Sequence, residues 1–277
     1  MKYTKEKNGI KIFDGEDFCP KHILECGQIF CYKKDGDKYI VYPQDKYAQI
    51  SQTDYGYFIE TDDADYFEEF FDLKNDYSLI KQKLSSFKVL EKPMKFGYGI
   101  RILNQNLFEI LISFIMSSNN NIQRIKLILD KIRRKIGVLR KNDVYSFPTY
   151  EKMLSCDEEF FKSVGCGYRA KYFVNVLKQI TPEKLEKMRN LDTQSLRKEL
   201  LSLCGVGPKV ADCVLLFGFK KGDVFPVDTW IHQMYNSVYP KLDNREKMRE
   251  NLVREFGQLS GYAQQYIFYY QRSGESF

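Results

Sequence analysis

The stretch Leu203-Cys204-Gly205-Val206-Gly207-Pro208-Lys209-Val210-Ala211-Asp212 decides how this chain is read, together with Pro226-Val227-Asp228, whose aspartate lies nineteen residues beyond the lysine. A helix is predicted over Thr193 to Leu203, with Asp192 as N-cap and Leu196, Leu200 and Leu203 on one face. Gly205 and Gly207 then turn the chain. Val210 to Phe219 is apolar nearly all round, the pattern of a buried helix. Two helices joined by Gly-Val-Gly bring the N–H groups of Gly205, Val206 and Gly207 into a tight turn that a phosphate oxygen can approach, whatever base it carries. Lys209 sits where that buried helix starts. The partial positive charge of a helix N-terminus disfavours an ammonium, which favours a neutral, nucleophilic amine; the plain alternative is an exposed lysine at a loop end. Asp228 can cap a further helix carrying Thr229, Trp230, Ile231 and Met234.

The 277 residues allow one large or two modest domains with a substantial core. Hydrophobic content of 43% and charged content of 29% are those of a folded soluble protein, and no run approaches the ~20 apolar residues of a membrane span. Met1 to Lys7 lacks the apolar core of a signal peptide, so a cytoplasmic, nucleoid-associated setting is expected, or a nuclear one in a eukaryote, and not secretion. Seven irregularly spaced cysteines indicate reduced thiols. The net charge of +6 is unevenly spread: residues 1–95 hold 15 Lys+Arg against 18 Asp+Glu, whereas residues 96–277 hold 28 against 19. The second part is the one suited to a polyanion, although a merely solvated set of surface charges would look the same.

An α+β fold is expected, with an N-terminal antiparallel β-sheet domain (1–95) followed by an all-α domain (96–277). Short β-like runs at Ile29–Tyr32, Lys38–Tyr42, Tyr47–Ile50 and Tyr57–Glu60 form the sheet, with Lys34-Asp35-Gly36-Asp37 as a hairpin turn. Helical periodicity takes over at Tyr66–Phe71 and Tyr77–Leu84, and Glu91-Lys92-Pro93 marks a domain boundary. From about residue 106 the chain reads as successive helices, with Leu107, Ile110, Leu111 and Phe114 as one apolar stripe.

Taken together, the Leu-x-Gly-Val-Gly-Pro-Lys-Val-Ala-Asp and Pro-Val-Asp motifs resemble the helix-hairpin-helix DNA glycosylase superfamily in its lysine-bearing, bifunctional branch. The resemblance implies that Lys209 attacks C1′ of a flipped-out nucleotide and holds the sugar as a Schiff base. It implies that Asp228 supports the positive charge developing on the sugar; a simple N-cap is the other role open to it, and both can coexist. Branches ending in a four-cysteine iron–sulfur cluster do not fit, because no cysteine follows Cys213. Those lacking the lysine do not fit either, which leaves the 8-oxoguanine DNA glycosylase/lyase family.

Ser117-Ser118-Asn119-Asn120-Asn121-Ile122-Gln123-Arg124 is similar to that family's Ser-Ser-Asn-Asn-Asn-Ile-x-Arg signature, which implies that Asn119 and Arg124 read the cytosine left behind. A helix-capping cluster is the alternative for the asparagines. Gly167-Tyr168-Arg169-Ala170-Lys171-Tyr172 resembles its Gly-Tyr-Arg-Ala-[RK]-Tyr loop, which implies that Tyr168 wedges into the duplex and that Arg169 joins Arg124 on the cytosine. Gly261 to Phe268 resembles its C-terminal Ala-Gln-x-x-x-Phe, with Gln264 on the lesion's Watson–Crick edge and Phe268 stacked on its ring. Cys213, at i+4 from Lys209, would pack the other face; core filling is the alternative for Cys213 and Phe268. Cys26-Gly27-Gln28-Ile29-Phe30 resembles the family's Ser-Gly-Gln-x-Phe, with the Gly27 carbonyl accepting from the N7–H that only the oxidised base carries; otherwise Gly27 is a turn glycine.

Cys19, His22, Cys26 and Cys31 could suggest zinc, but their spacing fits no C-x2-C pair and apolar residues interleave, so no metal and no cofactor are expected. Where animal members have a histidine two residues after the aspartate, this chain has Trp230. The resemblance implies a monomer acting on double-stranded DNA containing 8-oxoguanine opposite cytosine, with neither membrane nor iron–sulfur cluster. A lysine-bearing glycosylase for another damaged base and a non-catalytic DNA-binding hairpin module are the remaining readings.

Overall fold

The computed structural model describes residues 1–13, 15–275 and 277. Six strands come first: β1 (Lys2–Glu6), β2 (Gly9–Phe13), β3 (Tyr32–Asp35), β4 (Lys38–Val41), β5 (Ala48–Thr53) and β6 (Gly56–Glu60). They form one antiparallel sheet in the order β1-β2-β6-β5-β4-β3. Three of its connections are two-residue turns, fixed by the pairs Glu6↔Gly9, Asp35↔Lys38 and Thr53↔Gly56. Gly36 takes φ +57° in the second of them, so the turn is tighter than the four residues expected from sequence.

Four helices accompany the sheet: α1 (Pro20–Glu25), α2 (Ala64–Phe70), α3 (Tyr77–Leu84) and α4 (Glu91–Phe96). The helical part comprises α5 (Leu107–Met116), α6 (Ile122–Ile136), α7 (Tyr150–Leu154), α8 (Glu158–Ser163), α9 (Ala170–Gln179), α10 (Pro182–Lys187), α11 (Thr193–Leu201), α12 (Pro208–Phe217), α13 (Thr229–Val238), α14 (Arg245–Phe256) and α15 (Ser260–Arg272). An α+β fold, sheet first and helices after, is therefore what the chain adopts. Among the described residues no helix is long and apolar enough to cross a membrane.

Three expectations need correction. Ile29–Cys31 is buried but belongs to the loop between α1 and β3: the Gln105 side chain satisfies the Gln28 carbonyl, and backbone pairing begins only where the Cys31 carbonyl accepts from the Tyr42 N–H. Strands β1 and β2 were not expected: β1 is an almost wholly exposed edge strand, so it lacks the alternation that betrays a strand. Glu91-Lys92-Pro93 opens α4, where proline is tolerated because first-turn N–H groups have no intrahelical acceptor. Residues from both sides of that stretch, including Leu84, Leu90, Phe225, Ile231, Leu252 and Tyr266, share one hydrophobic cluster. Helix α3 and the stretch before α4 thus pack with the C-terminal helices, while the buried strand residues form a separate cluster with α1 and α2.

A buried polar side chain adds to this packing. Arg101 is fully buried against the Tyr77 ring, 4.0 Å away, and donates to the carbonyls of Asp17, Phe71, Asp72 and Asn75. The buried guanidinium thereby finds its acceptors in backbone carbonyls, as a buried polar group must.

Candidate active site

Helix α12 sets the centre of the site. Gly207 is its N-cap and Pro208 its first residue, so Lys209 projects from the first turn, while Val210 to Phe217 are all buried. Gly205 adopts φ +82° with the Tyr172 side chain 2.8 Å from where a Cβ would stand, so only glycine makes this turn. A Cβ on Gly207 would meet nothing within 4 Å, which leaves its backbone open to a ligand. The Val206 N–H differs from its neighbours: it donates to the Leu203 carbonyl at 3.1 Å, and the Val206 side chain is buried. Of the three N–H groups expected to face a phosphate, that of Val206 is therefore already engaged.

Lys209 Nζ donates to Ser117 Oγ at 2.9 Å and lies 5.3 Å from the Phe114 ring centroid. Asp228 is the N-cap of α13, its Oδ1 accepting from the Ile231 N–H at 2.9 Å. Burial pushes its carboxyl above the ordinary carboxylate range, against the opposing pull of N–H donors and Lys209. No ion pair joins the two residues among those described, yet both line the same inner cavity.

That cavity, of about 40 Å³, is also bordered by Gly27, Cys213, Gln264 and Phe268, and it opens into a groove of about 930 Å³. All six residues expected to act on the sugar or the lesion base thus meet in one place, although they come from four separate parts of the chain. Gly27 holds φ +88°. The loop around it is pinned by side-chain donors: the partly buried Arg272 to the Glu25 carbonyl, and the buried Gln265 Nε2 to that of Cys26 at 2.7 Å and Gln105 Nε2 to that of Gln28 at 2.9 Å. Gln264 Oε1 is buried without a partner among the described residues, and Gly27 beside it is partly buried. A buried acceptor left unpaired is costly. Burial raises the Cys213 thiol to about 12, so it offers a neutral, polarizable wall.

Residues 11–111 match the family model described as 8-oxoguanine DNA glycosylase, N-terminal domain, and residues 112–258 match the HhH-GPD superfamily of base excision DNA repair proteins. The chain belongs to this superfamily, in its 8-oxoguanine DNA glycosylase branch. The glycosylase chain is 32% identical over 227 residues to a probable N-glycosylase/DNA lyase of Methanothermobacter thermautotrophicus, covering 73% of this chain and 71% of that one. It is 36% identical over 169 residues to the N-glycosylase/DNA lyase of Saccharomyces cerevisiae, covering 55% of this chain but only 45% of the yeast protein. Among solved structures, the Clostridium acetobutylicum 8-oxoguanine glycosylase/lyase in complex with double-stranded DNA containing cytosine opposite 8-oxoguanine superposes with a TM-score of 0.93. There the identity is 36%, and 99% of this chain and 98% of the other are covered.

The residues expected on the opposite strand surround the connection between α5 and α6. In this glycosylase Asn119 has φ +47°, a left-handed conformation asparagine tolerates, and Asn121 caps α6 by accepting from the Arg124 N–H. The asparagine run is therefore a connector between helices with a cap at its end, not part of a helix. Arg124 is exposed and Tyr168 is 50% exposed, as an arm and a wedge need to be. Arg169 differs. It is 5% exposed, and its guanidinium donates to the backbone carbonyls of Ser118 and Asn119. Engaging a cytosine would require it to share or leave those bonds.

Trp230, 39% exposed, borders the groove beside Asp228 and presents a ring there in place of a second charged or imidazole group. His22 Nδ1 accepts from the Gly99 N–H and the Cys26 thiol donates to the Ile23 carbonyl, so both groups of the Cys19–Cys31 segment have protein partners. Among the described residues no three His, Cys, Asp or Glu side chains are gathered as a metal would need. Two residues of the site escaped sequence reasoning. Ser117 lay inside a quoted motif but gave no signal of its contact with Lys209, and Arg272 lay beyond the last motif.

Asp228→Asn separates charge from capping, because an asparagine oxygen accepts the Ile231 N–H equally well. The variant should fold like the parent yet lose about 100-fold or more in base release, the usual scale for removing one electrostatic stabiliser. A carboxyl raised by burial takes its proton at a higher pH than usual, so as pH falls the parent should lose activity before an ordinary carboxylate would titrate. The pH profile of kcat/KM for Asp228→Asn should lack that acid limb; an unchanged limb would assign it to another group.

Proposed function

We propose that this protein is a DNA N-glycosylase and AP lyase that removes 8-oxoguanine from duplex DNA, preferentially opposite cytosine. The observation that supports the reading most directly is the cavity in which an amine, a half-buried carboxylate and the unpaired Gln264 Oε1 meet. The lesion nucleotide leaves the stack and enters between Phe268 and Cys213, while Tyr168 fills the gap. Oxidation converts N7 of guanine from an acceptor into a donor. The Gly27 carbonyl receives that N–H, and Gln264 meets the Watson–Crick edge. Normal guanine would set a lone pair against the carbonyl, costing about 1–3 kcal/mol for the unpaired acceptor.

The Lys209 lone pair forms the N–C1′ bond as the C1′–N9 bond breaks, and the base leaves with the bonding pair and is protonated. Asp228 stabilises the positive charge that grows on the sugar. Ring opening gives the Schiff base. Loss of a C2′ proton then expels the 3′ phosphate with the C3′–O bonding pair, and water hydrolyses the imine to return free Lys209. We read the protein as a monomer working wherever the chromosome lies, in a nucleoid or a nucleus.

The test is excision of 8-oxoguanine opposite each of the four bases, with borohydride reduction to trap the intermediate. Trapping opposite cytosine should dominate. Arg124→Ala should narrow the preference for cytosine over adenine by about tenfold, the scale of one base-edge contact. Trapping on thymine glycol but not on 8-oxoguanine would instead assign a different lesion, and binding without base release would reduce the protein to a DNA-binding module.

A further inference from the structure

The amine of Lys209 rests on one end of α5. Its Nζ donates to Ser117 Oγ at 2.9 Å, and that hydroxyl donates its own proton to the Phe114 carbonyl at 2.7 Å. The direction of both bonds follows from their chemistry. With its only hydrogen committed to the carbonyl, the hydroxyl can act toward Lys209 only as an acceptor. An amine that donates there keeps its lone pair free to point elsewhere. Ser117 is the C-cap of α5, a helix whose ten residues are all buried, so the acceptor is fixed to an element without a solvent face. The Phe114 ring lies beside the same amine. Asp228, whose Oδ1 is engaged by the Ile231 N–H, makes no hydrogen bond with Lys209 among the described residues.

We propose that Ser117 is a positioning residue for the nucleophile: its hydroxyl holds the lysine side chain in one rotamer, with Nζ at the mouth of the inner cavity. A free lysine samples many rotamers, and restricting it beforehand converts a search into an aimed attack. The hydroxyl gains and loses no bond to the substrate. The N–C1′ bond still forms from the lysine lone pair as the glycosidic bond breaks. This inference rests on the reading of Lys209 as nucleophile.

Single-turnover borohydride trapping tests it on the full chain, at saturating concentrations of two duplexes: 8-oxoguanine opposite cytosine, and a preformed abasic site opposite cytosine. Ser117→Thr keeps the hydroxyl, Ser117→Val has nearly the shape of threonine without it, and Ser117→Ala removes it without adding bulk. The valine and alanine variants should trap about tenfold more slowly on both duplexes, as expected for losing a hydrogen bond to the reacting amine. The threonine variant should keep most of the parental rate, and affinity for a tetrahydrofuran-containing duplex should be unchanged throughout. Parental rates in the valine and alanine variants would overturn the proposal. So would slowing on the 8-oxoguanine duplex alone, which would place Ser117 in base recognition, or a threonine variant as slow as valine, which would make the role one of packing. Failure of the parent to trap on either duplex is a separate outcome that refutes the nucleophile itself.

Discussion

Lys209→Gln will bind a duplex carrying 8-oxoguanine opposite cytosine and form no borohydride-trapped adduct, with base release and strand cleavage reduced by at least about three orders of magnitude. Glutamine suits the test because it removes the lone pair while retaining a polar end group and N–H donors that can reach toward Ser117 Oγ. The hairpin that would hold phosphate is untouched, since Gly205 and Gly207 shape it through their backbones. The surrounding helix is secured by the buried run Val210 to Phe217. Binding is measured by fluorescence anisotropy and trapping by a gel shift under denaturing conditions. Persistent trapping would move the nucleophile to another amine; Lys34 and Lys126 also line the groove.

Gly27→Ala should lower kcat/KM on the 8-oxoguanine duplex by about 100-fold while leaving the reaction at a preformed abasic site near the parental rate. Alanine at φ +88° is strained, by roughly 1–2 kcal/mol. Its Cβ would stand 2.9 Å from Phe268 Cε1 and 3.2 Å from Ile122 Cδ1, so the ring must turn away. One substitution thereby disturbs the stacking wall, worth about 1–3 kcal/mol, and the carbonyl beside it, worth about as much again. A combined loss near 3 kcal/mol corresponds to the ~100-fold expected. An abasic site brings no base into the cavity, so its turnover reports on Lys209 alone. Equal losses on both duplexes would show that the fault lies in folding and not in the pocket.

Much of the candidate site was legible because the chemistry expected of it calls for residues that sequence patterns punish elsewhere. Glycines at 205 and 207, three successive asparagines and a lysine opening an apolar helix are each locally unfavourable, and together they are hard to explain by packing. The helix ends were legible for the same reason: Asp192, Asn121 and Asp228 act as N-caps where their side chains can reach a free N–H. What escaped were relations between distant parts of the chain. Arg169 reads as a basic loop residue, yet its partners are the carbonyls of Ser118 and Asn119, about fifty positions away. The strand expected at Ile29–Tyr32 begins only at its last residue, because burial alone does not distinguish a strand from a pinned loop; Gln28, Gln105 and Gln265, whose contacts are not local, hold the residues before it. The edge strand β1 failed for the opposite reason, having too little burial to leave a pattern.

The pinned loop bears on how this sequence can drift. Gln28 Nε2 donates to the carbonyls of Ile23 and Arg101 while its Oε1 accepts from the Leu103 N–H. Gln105 and Gln265 reach the same loop from other elements. Each is an amide long enough to span its gap, and glutamate or leucine would offer the wrong atoms. A saturation-mutagenesis map of this protein would therefore show a second ring of intolerance around Gly27, set by reach and donor type. Cys26 belongs to that ring too, because its fully buried thiol donates to the Ile23 carbonyl and accepts from Gln28 Nε2 at 3.3 Å.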